Sequence, residues 1–257
     1  MTMPHPIPAF TDNYIWALHD GRQAWVVDPG DAGPVFDWLQ QTGVALAGIL
    51  LTHHHVDHTG GVPALRQTTQ APVYGPAHEV LPEPVTRLGE GDTVDVLGHR
   101  FQVLEVPGHT AGHIAYFTPD LGGSPLLFCG DTLFSAGCGR LFEGSPAQML
   151  DSLDRLAALP GPTRVCCTHE YTLSNLRFAA AVEPGNAALQ AHTQWCQQRR
   201  AAGLPTLPST LATERAINPF LRSREPSVVA AIQHQSPDAT EPVARFAALR
   251  RWKDGFR

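Results

Sequence analysis

As far as about residue 170, short apolar and β-branched runs alternate with Gly, Pro and Asp. Residues 14–18, 24–28, 46–51, 94–97, 100–106, 115–118, 126–129 and 164–167 each have the length and composition of a strand. Gly98 and His99 are a tight-turn signal joining 94–97 to 100–106 as a hairpin. Two helices interleave: 34–41, with Pro34 in a first-turn position, and 146–159, where Met149, Leu150, Leu153, Leu156 and Leu159 recur at helical spacing. Strands mixed with helices predict a layered α/β domain. Beyond Tyr171 the strand pattern stops, and 176–182, 187–202, 226–234 and 242–252 carry helical patterns. Pro-rich connectors such as Gly203-Leu204-Pro205-Thr206-Leu207-Pro208 separate them, which predicts a small all-α tail.

Composition narrows the classes. With 43% hydrophobic and 16% charged residues in 257, the chain is neither disordered nor a coiled coil. A net charge of -6 gives no footprint for nucleic acid. The start, Met1 to Pro8, has neither a basic stretch nor an apolar core, so no leader is expected. The longest near-apolar stretch, 44–51, falls far short of the roughly 20 residues a membrane helix needs. The five cysteines are odd in number and lack C-x-x-C spacing, so a reducing cytoplasm without disulfides is the expectation. Two counts remain to be explained: 13 histidines, ten of them before residue 114, and a single lysine, Lys253, among 18 basic residues.

The histidines concentrate in Thr52-His53-His54-His55-Val56-Asp57-His58-Thr59-Gly60-Gly61. His53, His55, Asp57 and His58 are candidate ligands of a divalent metal such as zinc, iron or manganese. In an extended start, His53 and His55 share a face and His54 points away. Asp57 and His58 follow as the chain turns into a helix, and the crowding favours two ions over one. Three other strand-like runs lead into His109, Asp131 and His169, and the long motif itself follows 46–51. A lone His or Asp at a strand end is ordinarily a cap or turn residue; four strands presenting them at their carboxyl ends mark a ligand edge.

These motifs, T-H-x-H-x-D-H-T-G-G at 52–61, G-H-T-x-G-H at 108–113, G-D-T-L-F at 130–134 and T-H-E-Y-T at 168–172, resemble the metallo-β-lactamase superfamily. Within it the chain is most similar to the hydroxyacylglutathione hydrolase, or glyoxalase II, branch. Gly137 to Gly144, Glu183-Pro184-Gly185-Asn186, Asn218 to Arg222 and Arg250 to Asp254 extend the resemblance to both ends. It implies an αββα sandwich over residues 1–172 and a helical substrate-binding domain over 173–257. It also implies one ion on His53, His55 and His109, a second on Asp57, His58 and His169, and Asp131 bridging them. His113 and His54 would support rather than ligate. Asp57, also a ligand, would orient the hydroxide nucleophile.

The reaction so implied is hydrolysis of S-(2-hydroxyacyl)glutathione, notably S-D-lactoylglutathione, the second step of methylglyoxal detoxification. Two divalent ions would activate water and polarise the thioester carbonyl, and a thiolate leaves without a protein acid. By the same resemblance Arg250 and Lys253, three apart on the last predicted helix, would bind the glycine carboxylate, with Arg140 and Tyr171 as further substrate contacts. Phe142 departs from the tyrosine of the animal enzymes and brings no hydroxyl. Alternatives in the same fold are a mononuclear iron dioxygenase acting on glutathione persulfide and a lactonase or β-lactamase. The seven candidate ligands and the tail blocks favour the hydrolase. The expected protein is a cytoplasmic monomer that binds neither nucleic acid nor membrane.

Overall fold

A computed structural model describes residues 3–256. Met1 and Thr2, part of the start expected to hold no leader, and Arg257 lie outside the described residues. Strand β1 (His5–Ala9) pairs antiparallel with β2 (Asn13–His19), and β2 with β3 (Gln23–Val27). Helix α1 (Ala32–Thr42), capped by Asp31 and ended by Gly43 at φ 71, crosses over to β4 (Ala45–Leu50), parallel to β3. The short α2 (Val56–Thr59) and α3 (Val62–Thr69) lead to β5 (Val73–Pro76) and β6 (Thr86–Leu88), which complete a sheet ordered β1-β2-β3-β4-β5-β6.

The second sheet starts as an antiparallel meander of β7 (Thr93–Val96), β8 (His99–Glu105), β9 (Ile114–Thr118) and β10 (Leu126–Gly130). The expected hairpin is present, with its turn at Leu97 and Gly98, at φ 55 and 79, one residue before the expected Gly98-His99, because His99 pairs with Val96 in the strands. A small hairpin, β11 (Leu133–Phe134) and β12 (Gly137–Cys138), and helix α4 (Pro146–Ala157) precede β13 (Arg164–Cys167), parallel to β10. Helix α4 opens on a capping box between Ser145 and Gln148.

The tail holds α5 (Thr172–Val182), α6 (Ala187–Ala201), β14 (Ser209–Thr210), α7 (Leu211–Ile217), α8 (Pro226–Gln235) and α9 (Pro242–Gly255). The expectation of an all-helical tail therefore needs one correction. Ser209 and Thr210 return to the second sheet beside β13, as a strand too short to leave a sequence pattern.

Alternation along β2 shows how the layers form. Tyr14, Trp16 and Leu18 enter the buried cluster shared with Phe101, Val103, Tyr116 and Phe128 of the second sheet. Ile15 and Ala17 point the other way, onto Val35 and Trp38 of α1 and Val62 and Leu65 of α3. Leu153 of α4 and Leu249 of α9 pack into the first cluster, so helices cover a sheet-on-sheet core. The sheets are also stitched at one corner: Tyr14 N donates to Thr168 O at 2.6 Å, and Trp16 Nε1 to Cys167 O at 2.9 Å. Strands β8 and β10 are both antiparallel to β9, and β13 is parallel to β10, so their carboxyl ends emerge at one edge of the second sheet.

Candidate metal centre and cleft

The histidine loop is fixed from its first residue. Just past β3, Asp28 adopts φ 54 and accepts Thr52 N at 2.8 Å and Thr52 Oγ1 at 2.7 Å. His53 thus leaves β4 in a defined direction, and the turn of α2 follows. A Cβ on Gly30 would stand 1.9 Å from Asp57 O, so only glycine lets this loop close on the turn after β3.

Two donor groups result. His53 Nε2 and His109 Nε2 each lie 3.1 Å from His55 Nδ1. One proton satisfies one of these pairs and leaves facing lone pairs in the other, whereas a cation accepts all three nitrogens. Two nitrogens on a tetrahedral ion of zinc's size stand about 3.3 Å apart. In the second group, His58 Nε2 and His169 Nε2 are each 3.5 Å from Asp57 Oδ2. Asp131 stands between the groups, 3.5 Å from both His58 Nε2 and His109 Nε2 and 3.4 Å from His169 Nε2. His58 Nε2 and Asp131 Oδ1 are buried with no hydrogen-bond partner. Orphaned polar atoms of this kind cost about 1–3 kcal/mol each, and a cation between them removes that cost. The donor set fits metal ions.

Ionisation separates the two groups. Burial, reinforced by His58 and His113, holds His53 well below the ordinary imidazole range. Burial also lowers His55, with His54 contributing, and His109. All three are thereby held neutral, the form that ligates. At His58 burial opposes the charge, but Asp131 and Asp28 outweigh it and the pKa stands well above the usual value. Burial is outweighed in the same way at His169 by Asp131. Burial disfavours ionised Asp131 too, yet His58 and His169 bring its carboxyl well below the usual range. Around Asp131, protons occupy the role of positive charge.

Most of these imidazoles are anchored through their second nitrogen. His53 Nδ1 meets Thr52 Oγ1 at 3.0 Å, His109 Nδ1 meets Arg140 O at 2.9 Å, and His169 Nδ1 meets Asp12 Oδ1 at 2.8 Å. Asn13 Nδ2 donates to Asp57 Oδ2 at 3.2 Å. His113, fully buried, stacks on His53 at 4.7 Å and accepts Asp131 N at 3.1 Å, outside both donor groups. His54 turns away to Glu79 and Glu143. Sequence reasoning missed Asp12, Asn13, Asp28 and Glu79. Only Asp28 had a usable signal, an acidic residue directly past a strand.

Above these groups opens a cleft of about 630 Å³, with His55, Asp57, His109, Asp131 and His169 at its floor and Arg140, Phe142, Tyr171, Arg250 and Lys253 along its walls. His53 and His58 lie behind the floor, with no exposure. Tyr171 stacks on His169 at 4.7 Å and 5°. Arg250 is 5% exposed, over the Phe220 ring at 5.0 Å. It donates to Cys138 O at 2.9 Å and to Asp254 Oδ1 through Nε at 3.1 Å and Nη2 at 2.9 Å. Three of a guanidinium's five N–H donors are thus committed. The Lys253 ammonium is freer: among the described residues it has only Ser174 O at 3.4 Å and the Phe178 ring at 5.4 Å. Burial, with Arg250, Arg177 and Arg140, lowers its pKa to about 8 against the pull of Asp254.

Two family models divide the chain: the metallo-beta-lactamase superfamily matches residues 10–169, and the hydroxyacylglutathione hydrolase C-terminus matches residues 170–256. A hydroxyacylglutathione hydrolase of Albidiferax ferrireducens is 63% identical over 251 residues, covering 98% of each chain. One of Cupriavidus taiwanensis is 57% identical over 267 residues, covering 100% of each. Among solved structures, ETHE1 from Myxococcus xanthus superposes with a TM-score of 0.64 at 27% identity, over 98% of each chain. The structure of TTHA1623 in a di-iron-bound form gives a TM-score of 0.55 at 33% identity, covering 64% of this chain and 91% of that one.

Proposed function

The chain belongs to the hydroxyacylglutathione hydrolases of the metallo-β-lactamase superfamily, and from that membership we propose that it hydrolyses S-(2-hydroxyacyl)glutathione thioesters, with S-D-lactoylglutathione as substrate. The observation that carries the proposal is the juxtaposition of buried, unpartnered His58 Nε2 and Asp131 Oδ1 with the cationic wall of Arg250 and Lys253 across one cleft. His53, His55 and His109 would hold one ion and Asp57, His58 and His169 a second, with Asp131 shared. Zinc suits this donor set, as do iron and manganese, and the di-iron form of TTHA1623 supports a pair of ions. When bound, such ions supply a water of lowered pKa and polarise the thioester carbonyl.

The chain's own residues do the rest. Asp57, steadied by Asn13, accepts a hydrogen bond from the attacking water and orients it. Lys253 and the uncommitted donors of Arg250 hold the substrate's glycine carboxylate. Tyr171 and Arg140 flank the glutathionyl chain, and Phe142 and Tyr171 give it apolar surface. No side chain needs to protonate the departing thiolate. Residues 1–172 thereby supply the chemistry and part of the binding surface, and residues 173–257 supply the pair that holds the carboxylate. Five buried free cysteines support a reducing cytoplasm, in which the protein would act as a monomer. Among the described residues no helix is long and apolar enough to cross a membrane. The persulfide dioxygenase and lactamase readings are not favoured, because the C-terminal match and the full-length relatives are those of the hydrolases.

The deciding experiment is an assay with S-D-lactoylglutathione on protein of measured metal content. Turnover that scales with bound metal is the expected result. Two ions bound without turnover would overturn the substrate.

A further inference from the structure

Glu79 lies in the loop after β5 and is 7% exposed, an unusual depth for a carboxylate. It belongs to neither donor group at the cleft floor. Its Oε1 accepts Thr110 Oγ1 at 2.6 Å and Gly112 N at 2.9 Å, while its Oε2 accepts His54 N at 3.2 Å and pairs with the His54 ring. Glu143 completes the arrangement from outside, with Oε1 3.5 Å from His54 Nε2 and Oε2 accepting Ala111 N at 2.8 Å. His54 sits between His53 and His55 on the loop from the first sheet. Thr110 to Gly112 follow His109 on the loop from the second.

We propose that Glu79 is a positioning residue that sets His53 and His55 against His109, and so sets the affinity for the ion those three would share. The inference rests on the ligand assignment proposed above. The two loops turn four donors toward one point: a hydroxyl, two amides and an imidazole N–H. An ionised carboxylate offers about four lone-pair sites on two oxygens and is the side chain that matches them. Neutral amides and hydroxyls fall short by at least two sites. The sheets contribute one loop each. The backbone bond from Ile114 N to Thr52 O at 3.0 Å ties the first loop to the second sheet ahead of His53, and Glu79 is the side chain that ties the residue between His53 and His55 to the residues after His109. A metal held by His54, Glu79 and Glu143 themselves is the weaker reading, because both Glu79 oxygens are already engaged by protein donors.

The test uses metal-free full-length protein titrated with Zn²⁺ against a competing chelator, with melting of the metal-free form followed in parallel. In Glu79→Ala, affinity for one ion should fall about 10–100-fold while the other ion keeps its affinity. Glu79→Gln, which keeps an acceptor for Thr110 or Gly112, should recover part of the loss. Thr110→Val, which deletes one bond and leaves the carboxylate, should lose within about tenfold. In a His169→Ala background, where the first group alone is complete, the Glu79 loss should fall on the remaining ion. If Glu79→Ala does not fold, Glu79→Gln and Thr110→Val decide. Equal weakening of both ions together with a lower melting temperature would mean a merely structural role, and unchanged affinities would also overturn the inference. Wild-type protein binding fewer than two ions would overturn the ligand assignment, and the inference with it.

Discussion

Behind the floor of the cleft, His53 and His58 have no exposure, and on the floor His109 and His169 are pinned by Arg140 O and Asp12. Along the wall, the Arg140 side chain is 69% exposed and Lys253 touches its neighbours only loosely. The floor comes from four strand ends within one sandwich. The wall comes from the loops after β12 and β13 together with α9, joined over distances such as the 112 residues between Cys138 and Arg250. Chemistry needs atoms held to fractions of an ångström around small ions; recognition of a flexible peptide carboxylate needs charge within reach. Substitutions on the floor should therefore cost one or both ions, whereas those on the wall should change binding and leave the ions in place.

The strongest break in this division is Asp131→Ala. Asp131 lies within 3.5 Å of donor nitrogens in both groups, His109 on one side and His58 and His169 on the other. Its removal should cost both ions and lower turnover by on the order of 10³-fold or more, the several kcal/mol a metal centre supplies. Metal analysis alongside kcat checks this. Full metal content with only KM altered would erase the distinction between floor and wall.

The converse experiment is Arg250→Ala combined with Lys253→Ala. KM for S-D-lactoylglutathione should rise about 10–100-fold with metal content unchanged. Because Arg250 also braces Cys138 and Asp254, Lys253→Ala alone should give a smaller rise without loss of thermal stability. A KM equal to wild type in the double variant would mean that α9 does not meet the substrate.

The floor was also the more legible of the two in the sequence, for a physical reason. Each strand that ends at the cleft is a short apolar run, and the residue after it lands at the site whatever the rest of the chain does, so His53, His109, Asp131 and His169 could be located by position. Asp28 obeys the same rule, yet 24–28 was expected as one strand, whereas β3 ends at Val27. Asp12 and Asn13 gave no signal, because their importance depends on β2 lying beside the end of β13, a contact between residues some 157 apart. Glu79 depends likewise on two loops from different sheets. Short elements escaped as well. Strand β1 contains Pro6 and Pro8, which only an edge strand tolerates, and β6 spans three residues. Arg250 and Lys253 were reached through family resemblance; their charge pattern alone is that of a solvated helix face.

A gentler test uses pH. With its pKa near 8, lowered first by burial and then by Arg250, Arg177 and Arg140, Lys253 is cationic below that pH and neutral above it. Its attraction for a carboxylate is thus present on the acid side and lost as pH rises through about 8. In kcat/KM, which reports the free enzyme, the alkaline limb should bend near pH 8 by about two- to fivefold, the size of a partly exposed ion pair. Lys253→Arg, charged throughout, should remove the bend. A bend that persists in that variant belongs to the floor.

The smallest effect is expected at Phe142, where floor and wall touch. The ring is 63% exposed and meets His55 edge-on at 5.5 Å and His109 at 5.2 Å. It shields two imidazoles of the first donor group while lining the cleft. Phe142→Tyr keeps that edge contact and adds a donor at an exposed position, where water competes for the bond. The gain should accordingly stay at the low end for a hydrogen bond, about a twofold to threefold fall in KM, with kcat and metal content unchanged. An unchanged KM would assign Phe142 to the floor, as a cover for His55 and His109. A change in metal affinity would do so more strongly, because a substituent at the far edge of the ring would then be acting through the imidazoles.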